Sequence, residues 1–291
     1  MGSKILITGA TGNIGLSVVR NLSKQSPTNQ VVVGVRSIEK AKAIFKDYEN
    51  LDYTYFDFEN PESFDSALSG IDRVFLLRPP HISDVDKYIR PLISEIKKKK
   101  INEIVFLSVQ GAEKSKIIPH NKIERLIAEF GLDYIFLRPS YFMQNLTTTL
   151  IRDIATKREI ILPAGNAKFN WIDIENIGEA AAVLLDKFGD YENNAYEITG
   201  LENENFKNVT SKINNTISDH IRYRNVNPIR FYNIKKKEGM AKGMIIVMIM
   251  LHFLPRFQKE PAISDFYEKL TGKKSTDLNS FIQREKSKFE Q

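Results

Sequence analysis

Lys4-Ile5-Leu6-Ile7-Thr8-Gly9-Ala10-Thr11-Gly12-Asn13-Ile14-Gly15 decides the fold. A short apolar run meets three glycines and then a segment in which Ile14, Val18 and Leu22 recur at helical spacing. The order predicts a core strand, a tight turn and a helix. In such a unit the first glycine permits the turn, the second lets main chain approach a pyrophosphate, and the third lets helix pack closely on sheet. Unpaired N–H groups and the positive dipole end at the helix start favour an anion there. Gly9, Thr11, Gly12, Asn13, Ile14 and Gly15 therefore predict a dinucleotide site; the competing reading is a plain strand-turn-helix with glycines for turn geometry alone.

Working outward, strand and helix signals alternate through the first half. Apolar or alternating runs recur at Lys4–Thr8, Val31–Arg36, Leu51–Phe56, Arg73–Leu77, Ile104–Ser108 and Asp133–Leu137, each followed by a helical pattern. Pro61 opens one helix and Gly70 closes it; another is expected from about Asp84 to Lys100. This alternation predicts an α/β fold, a Rossmann-type doubly wound parallel sheet. After Leu137 the rhythm changes: Ile160–Leu162 and Ala195–Thr199 read as strands, and Asn176 with Glu179 reads as a capping box opening a helix through Leu185. The later chain reads as mainly helical, with Phe206, Val209, Ile213 and Ile217 on one face and Phe266, Leu270, Leu278, Phe281 and Ile282 around a break at Gly272. We expect a nucleotide-binding domain over 1–150 and a smaller, mostly helical substrate-side region over 151–291, interleaved through a return to the sheet at about 172–200.

Composition excludes several classes. The chain has 291 residues, 42% hydrophobic and 27% charged, which is ordinary for a folded soluble protein. It has no cysteine, which excludes disulfides, thiolate metal sites and cysteine nucleophiles, and its four scattered histidines make no metal motif. Met1 passes almost directly into the strand at Lys4, so no signal segment is expected and a cytoplasmic protein is. Residues 200–291 carry 17 Lys/Arg and 10 Asp/Glu, yet the charges are interspersed, which reads as a solvated face and not as a nucleic-acid surface. Met244–Leu251 is the most apolar window; it is too short to span a bilayer and reads as a buried or pocket-lining helix, so no membrane partner is expected.

Several strand ends carry residues suited to the cofactor. Arg36 ends the second strand, where an NAD site would place an acid on the ribose; an arginine there suits a 2′-phosphate and favours NADP(H) over NAD(H). Asp57 and Phe58 are placed to bracket the adenine, and Leu77, Arg78 and Pro79 to run beside ribose and pyrophosphate, with Ser108 ending the next strand. On the following helix His120 and Glu124 are four apart and share a face. A histidine beside a nicotinamide would donate a proton to the acceptor, with Glu124 raising its pKa. The competing reading makes His120 a loop-bonding residue and Glu124 a solvated one.

Thr8–Gly15, Gly34-Val35-Arg36, Ser108–Ala112, Leu137–Asn145 and Trp171–Gly178 together resemble the NmrA-like atypical short-chain dehydrogenase/reductases over most of residues 4–200. Relatives in that family include NADPH-dependent quinone oxidoreductases, dye and azo reductases, isoflavone-type reductases and non-enzymatic redox-sensing regulators. The wider superfamily carries Tyr-x-x-x-Lys where His120-x-x-x-Glu124 stands, so the resemblance implies the quinone reductase branch, with hydride passing to a flat, electron-poor small molecule. Tyr141, Phe142 and Asn145, with Trp171 nearby, are the candidate acceptor contacts. A redox-sensing regulator with a protein partner is the alternative, a homodimer is compatible with either, and a sugar-nucleotide epimerase is weakened by the missing tyrosine.

Overall fold

The apolar runs of the first half become strands of one parallel sheet. In the computed structural model, which describes residues 2–25 and 28–290, they are β1 (Lys4–Thr8), β2 (Gln30–Val35), β3 (Leu51–Tyr55), β4 (Arg73–Leu76), β5 (Glu103–Leu107) and β6 (Asp133–Pro139). Between them lie α1 (Asn13–Gln25), α2 (Ile38–Ile44), α3 (Glu62–Ala67), α4 (Val85–Tyr88), α5 (Arg90–Lys98) and α6 (Pro119–Glu129). The chain then leaves for a second unit through β7 (Tyr141–Phe142), α7 (Ile151–Lys157), β8 (Glu159–Leu162) and β9 (Lys168–Ile172). It returns with α8 (Ile174–Asp186), α9 (Phe188–Tyr191) and β10 (Asn194–Ile198). The remaining elements are β11 (Asn203–Asn205), α10 (Phe206–Asn214), β12 (Arg222–Asn225), α11 (Pro228–Lys237), α12 (Lys242–Phe253), α13 (Phe266–Thr271), α14 (Leu278–Arg284) and α15 (Lys286–Phe289). Residues up to 139, 174–198 and 266–273 make unit 1, and 140–173, 199–265 and 274 onward make unit 2.

Unit 1 is a seven-stranded sheet in the order β10-β6-β5-β4-β1-β2-β3, parallel at every pairing. Strand order reverses between β1 and β4, and such a reversal opens a crevice at the carboxyl ends of the strands. Helices cover both faces, which is why Ile5, Leu6 and Ile7 are all fully buried instead of alternating. One covered face joins Leu6, Phe56, Phe64, Val74, Ile96, Phe106 and Ile127 in a single apolar cluster. On α8, Gly178 lies so close to α1 that a Cβ there would stand 2.5 Å from Ser17 Cβ.

Two expected helix boundaries are corrected. The single helix over 84–100 is α4 and α5, meeting at Ile89. Pro91 lies in the first turn of α5 and has no N–H to donate back to α4. The capping box at Asn176 and Glu179 is not formed, because α8 already begins at Ile174. Both side chains instead serve Tyr267: Asn176 Nδ2 donates to its hydroxyl at 2.9 Å, and that hydroxyl donates to Glu179 at 2.5 Å.

Unit 2 combines a three-stranded sheet, β11-β9-β7, with the parallel pair β12-β8. Its core gathers Met143, Ile160, Trp171, Phe206, Phe231, Ile245 and Phe281. The apolar helix α12 departs from expectation, because only Ile245, Met248 and His252 are buried. Those three form one stripe at i, i+3 and i+7; an all-apolar sequence gives no sign of which stripe will pack. Met244, Val247, Met250 and Leu251 are 42–58% exposed. Among the described residues no helix is long and apolar enough to cross a membrane.

Candidate functional site

The glycine turn sits at the switch point between β1 and β4. Gly9 has φ +62, and the Gly12 N–H donates to Gly9 O at 3.0 Å, closing the turn. A Cβ on Gly15 would lie 2.3 Å from Gly9 O, closer than any real side chain, so helix and turn meet backbone to backbone. Thr11, Gly12 and Asn13 are exposed, and the first turn of α1 carries no acidic side chain. First-turn N–H groups of a helix lack intrahelical acceptors, so an anion meets donors here and no competing carboxylate. Thr8 fixes the neighbouring strand: its hydroxyl donates to Phe75 O at 3.0 Å and accepts the Leu77 N–H at 2.9 Å.

The other sequence-derived positions of unit 1 divide between open and committed side chains. Arg36 is exposed at the end of β2 and makes no ion pair among the described residues. Asp57 is half-buried and accepts the Glu59 N–H at 3.0 Å, whereas Phe58 is buried edge-on against Phe56. That ring belongs to the core, so of the two side chains only Asp57 keeps partial exposure. Leu77 packs over Gly9, and Arg78 Nη1 donates to the carbonyl of Pro79 at 2.8 Å, bracing the loop that follows β4. Ser108 is buried at the end of β5 with its hydroxyl unpartnered. Buried polar atoms are nearly always hydrogen-bonded, so this hydroxyl at the carboxyl end of β5 is left with a bond to make.

His120 and Glu124 part company. His120 stacks on Phe106, and Arg78 Nη2 stands 3.5 Å from its Nε2. The guanidinium has only donors, so Nε2 accepts and the ring proton belongs on Nδ1. Burial, with the Arg78 charge adding to it, pushes the imidazole down to about 3. The expected raising by Glu124 is therefore corrected. Glu124 is buried, and both its oxygens are held by Arg138, at 2.9 Å to Nε and 2.7 Å to Nη2. Arg138 also reaches Glu113 at 2.8 Å. Paired carboxylates hold the guanidinium charged.

The candidate acceptor residues lie in unit 2. Tyr141, Phe142 and Asn145 are partly exposed. Trp171 is fully buried, its indole N–H donating to Glu204 O at 2.9 Å and its ring edge-on to Tyr141 and Phe206. It is a core residue, corrected from the expected pocket wall. Tyr141 carries a partner that sequence reasoning missed: its hydroxyl meets His252 Nε2 at 2.9 Å, and His252 Nδ1 donates to Met248 O at 2.7 Å. Burial raises the Tyr141 pKa and pushes His252 down to about 4. Nothing in the sequence links residues 111 apart. Arg138 was legible in principle, as a charged residue ending an apolar strand.

A doubly wound parallel sheet whose glycine turn lies at the switch point defines a Rossmann-type α/β fold. The chain belongs to the NmrA-like family, whose model matches residues 1–282. It is 30% identical over 285 residues to the prestalk A differentiation protein A of Dictyostelium discoideum, covering 98% of this chain and 92% of that one. It is 26% identical to the NAD(P)H azoreductase of Xenophilus azovorans, covering 98% and 99%. In fold it is similar to the NADPH-dependent quinone oxidoreductase of Escherichia coli complexed with NADPH, with a TM-score of 0.83 at 22% identity over 96% and 99% of the two chains.

Proposed function

We propose that the protein is an NADPH-dependent oxidoreductase acting on a quinone-like or similarly conjugated small molecule. The observation that carries this reading is the Gly9–Gly15 turn, where an added Cβ at Gly15 has no room and exposed main chain ends at a helix start. Azo and quinone reductases among the chain's relatives and structural neighbours support the reaction class. The residues present fit a nicotinamide dinucleotide: N–H groups of Thr11, Asn13, Ile14 and Gly15 for the diphosphate, Arg36 for a 2′-phosphate, Asp57 and the main chain at Phe58 for the adenine end. Leu77, Arg78, Pro79 and Ser108 complete the set. When bound, the cofactor supplies hydride to the acceptor.

His120, held neutral with its proton on Nδ1, acts in this reading as a hydrogen-bond donor to the acceptor and not as a charged acid. That limits the chemistry to acceptors that accommodate charge themselves, which quinones and conjugated dyes do. Glu124 acts at one remove by fixing Arg138. Tyr141, Phe142 and Asn145 are the side chains we assign to acceptor contact. Steady NADPH oxidation across a panel of quinones, azo dyes and enones tests the proposal, and tight NADPH binding with no turnover on any of them would overturn it.

A second reading is a non-catalytic sensor of the NADP(H) ratio, favoured by the same neutral His120. It requires different affinities for NADP+ and NADPH and no NADPH oxidation. Pull-downs repeated with each cofactor form, read beside the turnover panel, separate the two.

A further inference from the structure

Helix α12 turns a wholly apolar face to solvent. Met244, Ile246, Val247, Met250 and Leu251 are 42–58% exposed, and the face continues past the helix in Leu254 and Phe257, 45% and 74% exposed. Beyond Lys242 at its start, the solvent-facing surface of α12 carries no polar side chain, which is unusual for a free protein surface. Its surroundings are cationic. Residues 226–259 contain seven Lys/Arg and a single acid, Glu238, whose carboxylate is already taken by Lys157 and Lys235. Arg230, Lys236, Lys237, Lys242 and Lys259 are exposed and make no ion pair among the described residues. Helix α11 packs beside α12, and a hollow of about 400 Å³ along it is lined by Asn227, Ile229, Arg230, Asn233, Ile234 and Lys237.

We propose that the α11–α12 pair docks on an anionic bilayer surface, with the apolar face of α12 in the headgroup–acyl boundary and the surrounding cations on acidic headgroups. An apolar helical face flanked by lysines and arginines, with almost no acids, is the chemistry such a surface selects. A second copy of the chain fits less well, because an isologous contact through this face would bring the two sets of cations together without acids between them. A nucleic acid would neutralise the cations and leave the apolar face in water. Among the described residues no helix is long enough to span, so the contact is peripheral. The proposal does not depend on the reductase reading, since docking needs neither cofactor nor turnover.

Co-sedimentation of the full chain with vesicles tests it, using phosphatidylcholine alone or enriched in phosphatidylglycerol. Binding should require the anionic lipid, weaken with added salt, and fall about fivefold for each of Lys236→Ala and Lys237→Ala. Val247→Glu with Leu251→Glu should abolish it while the melting temperature stays near wild type, because both positions are exposed. Equal binding to neutral vesicles, no binding to either, or binding unchanged by the two glutamates would overturn the proposal. So would a concentration-dependent dimer that the glutamates dissociate, or an RNA duplex bound where vesicles are not.

Discussion

Gly12→Ala separates folding from cofactor binding. In the free protein a methyl at position 12 would meet only Gly9 O, at 3.3 Å, and Gly12 does not have positive φ. The variant should therefore melt within about 1 kcal/mol of wild type, as Gly→Ala changes at compatible positions do. The same methyl projects from main chain that the proposal places against a diphosphate. Losing one or more N–H bonds to a charged oxygen weakens binding by about 1.5–3 kcal/mol, or roughly 10- to 150-fold in Kd. Titration calorimetry with NADPH and NADH reads this directly, and both should suffer alike because both carry the diphosphate. Gly15→Ala is the contrasting variant: its methyl would stand 2.3 Å from Gly9 O and 2.7 Å from Ala10 Cα. It should lose about 1–3 kcal/mol of stability as well. Unchanged affinity of Gly12→Ala for both cofactors would refute the placement of the diphosphate on this turn.

Arg36→Ala should weaken NADPH by about 1.5–3 kcal/mol and leave NADH nearly untouched; parallel losses in a titration would remove Arg36 from phosphate recognition. Because burial holds His120 near 3, turnover should show no titration of this group between pH 5 and 8, and His120→Gln should lower kcat with little change in NADPH Kd; an inflection near pH 6.5 that disappears in His120→Gln would contradict the neutral-donor role. His252 has a folded pKa near 4 against an ordinary value of 6.5, so its contribution to stability is complete above pH 6.5 and is lost as pH falls toward 4. Relative to a His252→Asn variant, wild type should lose about 2 kcal/mol between pH 7 and pH 5 in denaturant titrations, and parallel curves would show that the imidazole is not sequestered. Glu124→Ala should destabilise by about 3 kcal/mol, the low end for breaking a buried pair because Glu113 still meets Arg138; a melting temperature equal to wild type would show that the pair contributes nothing.

The strands of unit 1 were readable because a parallel sheet covered on both faces demands continuous apolar runs, and Ile5-Leu6-Ile7 and Val74-Phe75-Leu76 are too short and too uniformly apolar to suit a half-exposed helix. The glycine turn was readable because its spacing carries a mechanism. What escaped is set by partners distant in sequence. Helical spacing pairs Glu124 with His120, yet the bidentate geometry of Arg138, fourteen residues on, captures it. Neighbours in a motif place Trp171 with the acceptor contacts, whereas its indole N–H finds a carbonyl on β11 and the ring is sealed in. Asn176 and Glu179 have the spacing of a cap, but the helix begins earlier and a tyrosine 88 residues beyond Glu179 takes both. For α12, periodicity fails because nearly every position is apolar, so only tertiary packing chooses the buried stripe.

The threading of the chain governs when each half can be finished during synthesis. The edge strand β10 and the helix α13 belong to unit 1 although residues 140–173 precede both. Unit 2 waits longer still: Phe289 is fully buried, and its carbonyl receives the Arg158 guanidinium at 2.7 Å. A ribosome that has released the first 150 residues has thus produced neither half in completed form, and early termination a few codons short of Phe289 would leave Arg158 and the floor of α7 open. The contacts of unit 2 are therefore complete only once the helical turn that carries Phe289 has been made.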